Sequence, residues 1–173
     1  NAEQLDLDTD GQGDVCDATP IGNGAGSHVW SRRYGGSGAS IGDASVDDFG
    51  NVLLAGASSG LDFGAGALPN TIFVTRLGSN GSLAFAKSYG TAGAATAVVG
   101  EPRTGGIVIV GGHVDGPSPV DFGGGPLAAG GDTDAFLFAL APFNGQYIWS
   151  KRLGDGLAQT VTDIAAEGGG DVV

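Results

Sequence analysis

Three short segments of the chain repeat one pattern of aromatic, polar and basic residues: Trp30-Ser31-Arg32-Arg33-Tyr34-Gly35, Phe85-Ala86-Lys87-Ser88-Tyr89-Gly90 and Trp149-Ser150-Lys151-Arg152-Leu153-Gly154. They begin about 55 and about 64 residues apart, which is near the spacing of repeat proteins whose units stack side by side. The stretches between them are short apolar runs separated by glycine-rich turns, as expected of β-strands. This repeat therefore predicts an all-β fold built from similar units.

Two further stretches repeat at matching positions. Leu61-Asp62-Phe63-Gly64-Ala65-Gly66-Ala67-Leu68 corresponds to Val120-Asp121-Phe122-Gly123-Gly124-Gly125-Pro126-Leu127. The dipeptide Asn80-Gly81 returns as Asn144-Gly145, and it is a strong signal for a β-hairpin turn. The recurring aspartates predict a cap on a turn between strands, with a second calcium site as the alternative.

Each unit divides into four predicted strands. In the first unit they cover residues 44–47, 52–57, 72–77 and 83–89, and in the second residues 95–99, 107–112, 134–140 and 147–153. Four antiparallel strands per repeat form one blade of a β-propeller, and the alternatives are a sandwich or stacked β-solenoid coils. We therefore predict two full blades, about 41–90 and 95–154, and partial strands at residues 28–35 and 161–173. Because propellers have roughly four to eight blades, we expect either continuation beyond Val173 or completion by other copies.

The start of the chain is strongly acidic and has the spacing of a calcium loop. Residues 6–17 read Asp-Leu-Asp-Thr-Asp-Gly-Gln-Gly-Asp-Val-Cys-Asp. Ca²⁺ prefers six to eight oxygen ligands, and an alternating loop supplies them from one tight turn, with Gly11 allowing the reversal. The predicted ligands are Asp6, Asp8, Asp10, Gln12 through its backbone carbonyl, Asp14 and Asp17. A disordered acidic linker and a Mg²⁺ site are the competing interpretations.

This stretch resembles a thrombospondin type 3 repeat over residues 1–18. The matching residues are Asn1, Gln4, Asp6, Asp8, Asp10, Gly11, Gly13, Asp14, Cys16 and Asp17. The resemblance implies that the aspartates bind calcium and that Cys16 forms a disulfide with a neighbouring repeat. Cys16 is the single cysteine of this sequence, so such a bridge would need a partner from elsewhere. Residues 19–27 have the composition of a linker.

The remainder, residues 28–173, resembles the β-propeller repeats of large secreted bacterial proteins. The resemblance rests on Asp134-Ala135-Phe136-Leu137-Phe138-Ala139-Leu140, followed by Gly145 and Trp149-Ser150. It implies a secreted or cell-surface bacterial protein whose blades bind a partner.

The net charge and the sequence motifs argue against several classes of function. A net charge of −12 argues against nucleic acid, and no apolar run reaches the roughly 18 residues that would span a membrane. Gly56-Ala57-Ser58-Ser59-Gly60 has the pattern of a nucleophile elbow but lacks the helix that must follow it. His28 and His113 are isolated in the sequence. The basic residues of the repeated segment are expected to pair with acids such as Asp47 or Asp163.

The sequence therefore predicts a non-enzymatic, calcium-binding adhesion or scaffold segment. Its expected partners are calcium and another protein or a surface glycan. Two alternatives are a self-assembling filament subunit that joins through open blade edges, and a fragment of a quinone-dependent propeller enzyme. The second rests on residues 141–149, which look like a blade motif of those enzymes.

Overall fold

A computed structural model describes residues 28–35, 38–58, 60–102, 106–128 and 130–166. The chain divides into two compact units, Asn1–Arg32 and Arg33–Val173. The predicted calcium ligands Asp6, Asp8, Asp10, Gln12, Asp14 and Asp17 lie outside the described residues, as do the linker 19–27 and residues 167–173. All of the strands lie in the second unit, Arg33–Val173, among the described residues.

The first half of this unit forms a four-stranded antiparallel sheet in which each strand pairs with the next along the chain. Its strands are β1 (Ser40–Val46), β2 (Val52–Ala57), β3 (Ile72–Leu77) and β4 (Leu83–Tyr89). The last three have the predicted bounds, and β1 begins four residues earlier than predicted.

The second half forms another four-stranded antiparallel sheet with the same order. Its strands are β5 (Ala94–Gly100), β6 (Val108–Asp115), β9 (Thr133–Leu140) and β10 (Tyr147–Leu153), and a small hairpin of β7 (Val120–Asp121) and β8 (Pro126–Leu127) lies between β6 and β9. The described residues contain no helix, so none of them forms one long and apolar enough to span a membrane. The all-β prediction is confirmed.

The two sheets share their irregularities as well as their strand order. The β1–β2 ladder shifts register between Ile41 and Asp43, and the β5–β6 ladder shifts at the matching place, between Ala95 and Ala97. The ladders β3–β4 and β9–β10 also shift at matching places, next to Leu77 and Leu140. Since an extra residue in a ladder locally bends the strand and increases its twist, both sheets carry the same deformation.

The repeated aspartates cap the turns between the second and third strands of each sheet, as predicted. Asp62 Oδ1 accepts the backbone N–H groups of Gly64 at 2.7 Å and Gly66 at 3.0 Å. Asp121 Oδ1 makes the same two bonds at the same distances, to the residues two and four positions on. The glycines have positive φ, a conformation that side chains with a Cβ rarely adopt.

One apolar core lies between the two sheets, and Phe122 is near its centre. The Phe122 ring centroid is 4.4 Å from that of Phe138, 4.9 Å from Phe136 and 5.3 Å from Tyr89. Because Tyr89 ends the first sheet, whereas Phe136 and Phe138 lie on β9 of the second and Phe122 lies in the turn of the small hairpin, this cluster joins the two sheets. The first sheet adds Leu53, Ala55, Ile72, Val74 and Phe85 to the same core.

A smaller cluster covers the opposite face of the first sheet and repeats the aromatic arrangement of the main core. The Tyr34 ring centroid lies 4.7 Å from that of Phe63, which lies 5.6 Å from that of Phe73. In the sequence repeat these three residues correspond to Tyr89, Phe122 and Phe136. The contact that joins the two sheets therefore recurs on the outer face of the first one.

The predicted partial strands are not strands in the described residues. Residues 28–35 and 161–165 have no assigned strand, and Ala166 forms an isolated bridge. A strand requires a neighbour that fills its ladder of hydrogen bonds. Val161 makes one such backbone bond, in which its N–H donates to the Gly112 carbonyl at 3.3 Å.

Candidate binding site at the turn end of the two sheets

The turn between β1 and β2 is organised by the carboxylate of Asp47. Its Oδ1 accepts the backbone N–H of Phe49 at 3.0 Å and that of Asn51 at 2.9 Å. The Asn51 side-chain amide donates to both carboxylate oxygens at 3.0 Å. An aspartate that binds the N–H groups following it fixes a turn in one conformation, and here this places the Phe49 ring outside the sheet.

Arg76 on β3 neutralises this carboxylate in a buried ion pair. Its Nη2 lies 2.5 Å and its Nε 3.1 Å from Asp47 Oδ2, and the two side chains are 4% and 2% exposed. Burial opposes ionisation of Asp47, but the hydrogen bonds from Arg76 and Asn51 outweigh it and hold the pKa of the carboxyl below its usual value. The pair is therefore charged at neutral pH, with no net charge presented to solvent.

The same guanidinium connects the two sheets. Arg76 Nη1 donates to the carbonyl of Pro142 at 2.5 Å, in the turn between β9 and β10. Its Cζ lies 5.7 Å from the ring centroid of Phe143, the next residue of that turn. A guanidinium at this distance from an aromatic ring is attracted to the ring face. Arg76 thus holds the turn of the second sheet against the first.

A cavity of about 370 Å³ opens beside this pair. Its lining residues come from three turns, the end of β3 and the start of β4, and they are Phe49, Asn51, Arg76, Gly78, Ser82, Ala84 and Phe143. The side chains of Phe49 and Phe143 remain 63% and 78% exposed at its edges. Large aromatic side chains are usually buried, so two exposed ones at one cavity indicate a binding surface.

The second sheet has no arginine at the strand position that matches Arg76. Ala139 occupies the repeat position of Arg76. The turn that carries Phe143 is closed by a hydrogen bond from the Ala141 N–H to the Gln146 carbonyl. The corresponding turn of the first sheet is closed by a hydrogen bond from the Gly78 N–H to the Ser82 carbonyl, and it is one residue shorter. The second sheet thus reaches the same strand order with an alanine where the first has Arg76.

A second buried ion pair lies at the opposite end of the second sheet. Arg152 Nε is 2.8 Å from Asp134 Oδ2, and Arg152 Nη1 donates to the Ser118 carbonyl at 3.1 Å. The backbone N–H of Gly130, which donates to Oδ2 at 2.7 Å, lowers the pKa of Asp134, and with the charge of Arg152 it outweighs burial. This pair anchors the long connection between β6 and β9.

These pairings correct the prediction for the basic residues. Asp47 pairs with Arg76 on β3 and not with a base of the repeated segment, and Asp163 Oδ1 accepts the backbone N–H of Ile164. Of the repeated-segment bases in the described residues, Arg152 forms an ion pair, with an acid that the sequence pattern did not select. The sequence repeat does not reveal which basic side chains the fold buries.

The remaining candidate residues have structural contacts. Ser58 of the elbow-like sequence is buried, its Oγ accepts the Leu61 N–H at 3.0 Å, and the chain continues into the Asp62 turn rather than a helix. His113 Nδ1 lies 3.3 Å from Thr160 Oγ1, and His28 is exposed. Among the residues that can be described, no three His, Cys, Asp or Glu side chains are grouped to hold a metal.

Comparison with protein-family models and with curated protein sequences finds no match for the chain.

Proposed function

We propose that this chain is a non-catalytic segment of a secreted or cell-surface protein that acts in adhesion or as a scaffold. In this proposal the two sheets are successive blades of a β-propeller, and the acidic residues 1–18 form a calcium-dependent spacer. The observation that carries the blade assignment is the directional stacking of the repeats.

Here stacking means that β5 contacts the first strand of the preceding repeat on one side and the start of the following repeat on the other. Asp43 Oδ2 on β1 accepts the backbone N–H of Val98 on β5 at 2.8 Å. On the far side of β5, the Thr96 hydroxyl donates to the carbonyl of Val161. In the repeat, residues 160–166 match β1 and β5. First strands that succeed one another in one direction are typical of blades arranged around an axis, and a two-sheet sandwich does not require them.

The calcium assignment rests on the sequence of residues 6–17. Five aspartates in one short loop would repel one another, and a divalent cation removes that repulsion while it supplies ligand bonds. Extracellular modules bind calcium with dissociation constants of roughly 10⁻⁴–10⁻³ M, which suits a segment that is always loaded outside the cell.

Calorimetric titration of the full chain with CaCl₂ tests the calcium role. We expect heat of binding in this range, loss of it in an Asp8→Asn/Asp10→Asn variant, and faster proteolysis of residues 1–18 in a chelator while the sheets stay protected. Asp62→Asn, which changes an aspartate outside the loop, is the control and should bind as before. Absence of heat in the unaltered chain, or equal heat in the loop variant, would remove calcium from the proposal.

One observation favours self-assembly as a second candidate. β1 is at the edge of its sheet among the described strands, and its residues Ile41 and Val46 are 52% and 65% exposed. Exposed apolar edge strands can pair with another chain. Light scattering over a dilution series distinguishes the two candidates. Filaments shorten on dilution, so their mean molar mass should fall, whereas an adhesion segment should keep one molar mass.

A further inference from the structure

We propose that the cavity between Phe49 and Phe143 is a binding site for a neutral saccharide. The proposal rests on the adhesion function above and names its ligand class. Its first support is that the shared strand order does not require Arg76, because the other sheet reaches the same order and bulges with Ala139 at that position. A buried ion pair is often no more stabilising than apolar residues of similar size, so the strand order alone does not explain its presence.

The electrostatics of the cavity select an uncharged ligand. Arg76 is the one base among the lining residues, and Asp47 Oδ2 accepts from both its Nε and its Nη2. Asp47 itself is buried behind this contact. An anion would therefore meet a guanidinium that is already neutralised, and a cation would meet no carboxylate among the lining residues. Either charged ligand would lose its hydration without a counter-charge in return.

The shape and surface of the cavity suit a sugar ring. The lining is mainly apolar, and the exposed rings of Phe49 and Phe143 offer flat faces on which the C–H face of a pyranose can stack. At about 370 Å³ the volume is within the roughly 300–1,000 Å³ of small-molecule sites. This is room for a short saccharide and not for a folded domain.

Polar groups between the rings can pair with sugar hydroxyls. Asn51 uses its amide hydrogens on Asp47, which leaves its Oδ1 without a donor in the part of the chain that the structure describes. Ser82 is exposed and is also one of the residues that line the cavity. A mainly apolar cleft with a few fixed polar groups is the usual form of a ligand site, in which the polar groups determine orientation.

The experiment is an array that displays neutral oligosaccharides, acidic oligosaccharides and apolar peptides, probed with the labelled full chain in calcium. We expect binding to neutral oligosaccharides, a fall of about tenfold in Phe143→Ala and in Phe49→Ala, and no change in the control Leu157→Ala. Leu157 is 71% exposed and is not among the residues that line the cavity. Melting temperatures of all variants establish that they are folded.

Three results would overturn the saccharide site. One is the absence of bound oligosaccharide, another is binding that prefers acidic oligosaccharides, and the third is neutral binding that persists in both phenylalanine variants. Peptide binding with the same phenylalanine dependence would assign the cavity to a protein partner instead. The calcium titration above is made on the same sample, so a failed saccharide site with retained calcium binding leaves the adhesion segment in place.

Discussion

Arg76 Nη2 lies 2.5 Å from Asp47 Oδ2 in a buried ion pair. The same guanidinium donates a hydrogen bond to the carbonyl of Pro142 in a turn of the other sheet. A single side chain thus stabilises a turn of its own sheet and positions a turn of the next one. The cavity beside it depends on this pair because both exposed phenylalanines belong to the turns that it holds.

Replacing one partner of this pair should be more damaging than replacing both. Arg76→Met keeps the apolar stem but leaves a buried carboxylate without its counter-charge, which costs about 3–5 kcal/mol. The double variant Asp47→Asn/Arg76→Met removes both charges and keeps an oxygen for the turn N–H groups. We expect it to recover much of the lost free energy of unfolding in urea denaturation. Equal or greater destabilisation in the double variant would show that the pair is not coupled.

Acid should destabilise the second unit through the two buried carboxylates. Asp47 and Asp134 have pKa values below their usual range, because hydrogen bonds and nearby arginines stabilise their charged forms. In the unfolded chain these carboxylates are protonated near the ordinary aspartate pKa of about 3.9, whereas in the folded chain they stay ionised to lower pH. Their contribution to stability is therefore complete above about pH 4 and is lost as the pH falls through the lower folded pKa values.

Melting temperatures at pH 7 and pH 3 measure this loss. In the Asp47→Asn/Arg76→Met variant the drop should be smaller than in the unaltered chain, because one of the two carboxylates no longer titrates. An unaltered drop in this variant would mean that acid acts on other groups.

A glycine in β6 limits how closely the strands can approach. A Cβ at Gly112 would lie 2.1 Å from the Ala94 carbonyl oxygen and 2.8 Å from the Ala95 Cα, both of them backbone atoms. Gly112→Ala should therefore destabilise the fold by about 1–3 kcal/mol or more through overpacking. Gly156→Ala is the matched control, since no atom lies within 4 Å of its Cβ position and its φ is not positive. Urea denaturation of the two variants should separate them, and equal stabilities would contradict the observed strand spacing.

The sequence predicted the strands, the hairpin turns and the Asp62 and Asp121 caps because each depends on residues that are close in the chain and occurs twice. It did not predict the Arg76–Asp47 and Asp134–Arg152 pairs, since each joins residues that are distant in the sequence and that folding brings together. Phe143 was not distinguished from other turn residues, because exposure of an aromatic ring is a property of the fold. The one-residue difference between the two Asn-Gly turns was the available signal for it.

The partial strands show the other limit of the sequence pattern. Residues 161–165 carry the same sequence pattern as β1 and β5, yet they form no ladder among the described residues. The local sequence specifies an extended conformation, whereas strand pairing requires a neighbouring strand. A repeat pattern therefore predicts the unit well and its ends poorly.

The binding site requires that the two sheets are repeats that share one core, since the cavity takes residues from both. Hydrogen exchange of Phe122→Ala, compared with Phe143→Ala, tests this most directly. Phe122 is 1% exposed, so its removal should cost about 3–5 kcal/mol, while the exposed Phe143 should matter little. We predict that amides of β3 and β9 lose protection together in Phe122→Ala. Loss confined to the second sheet would contradict the shared core and, with it, a binding site formed between the sheets.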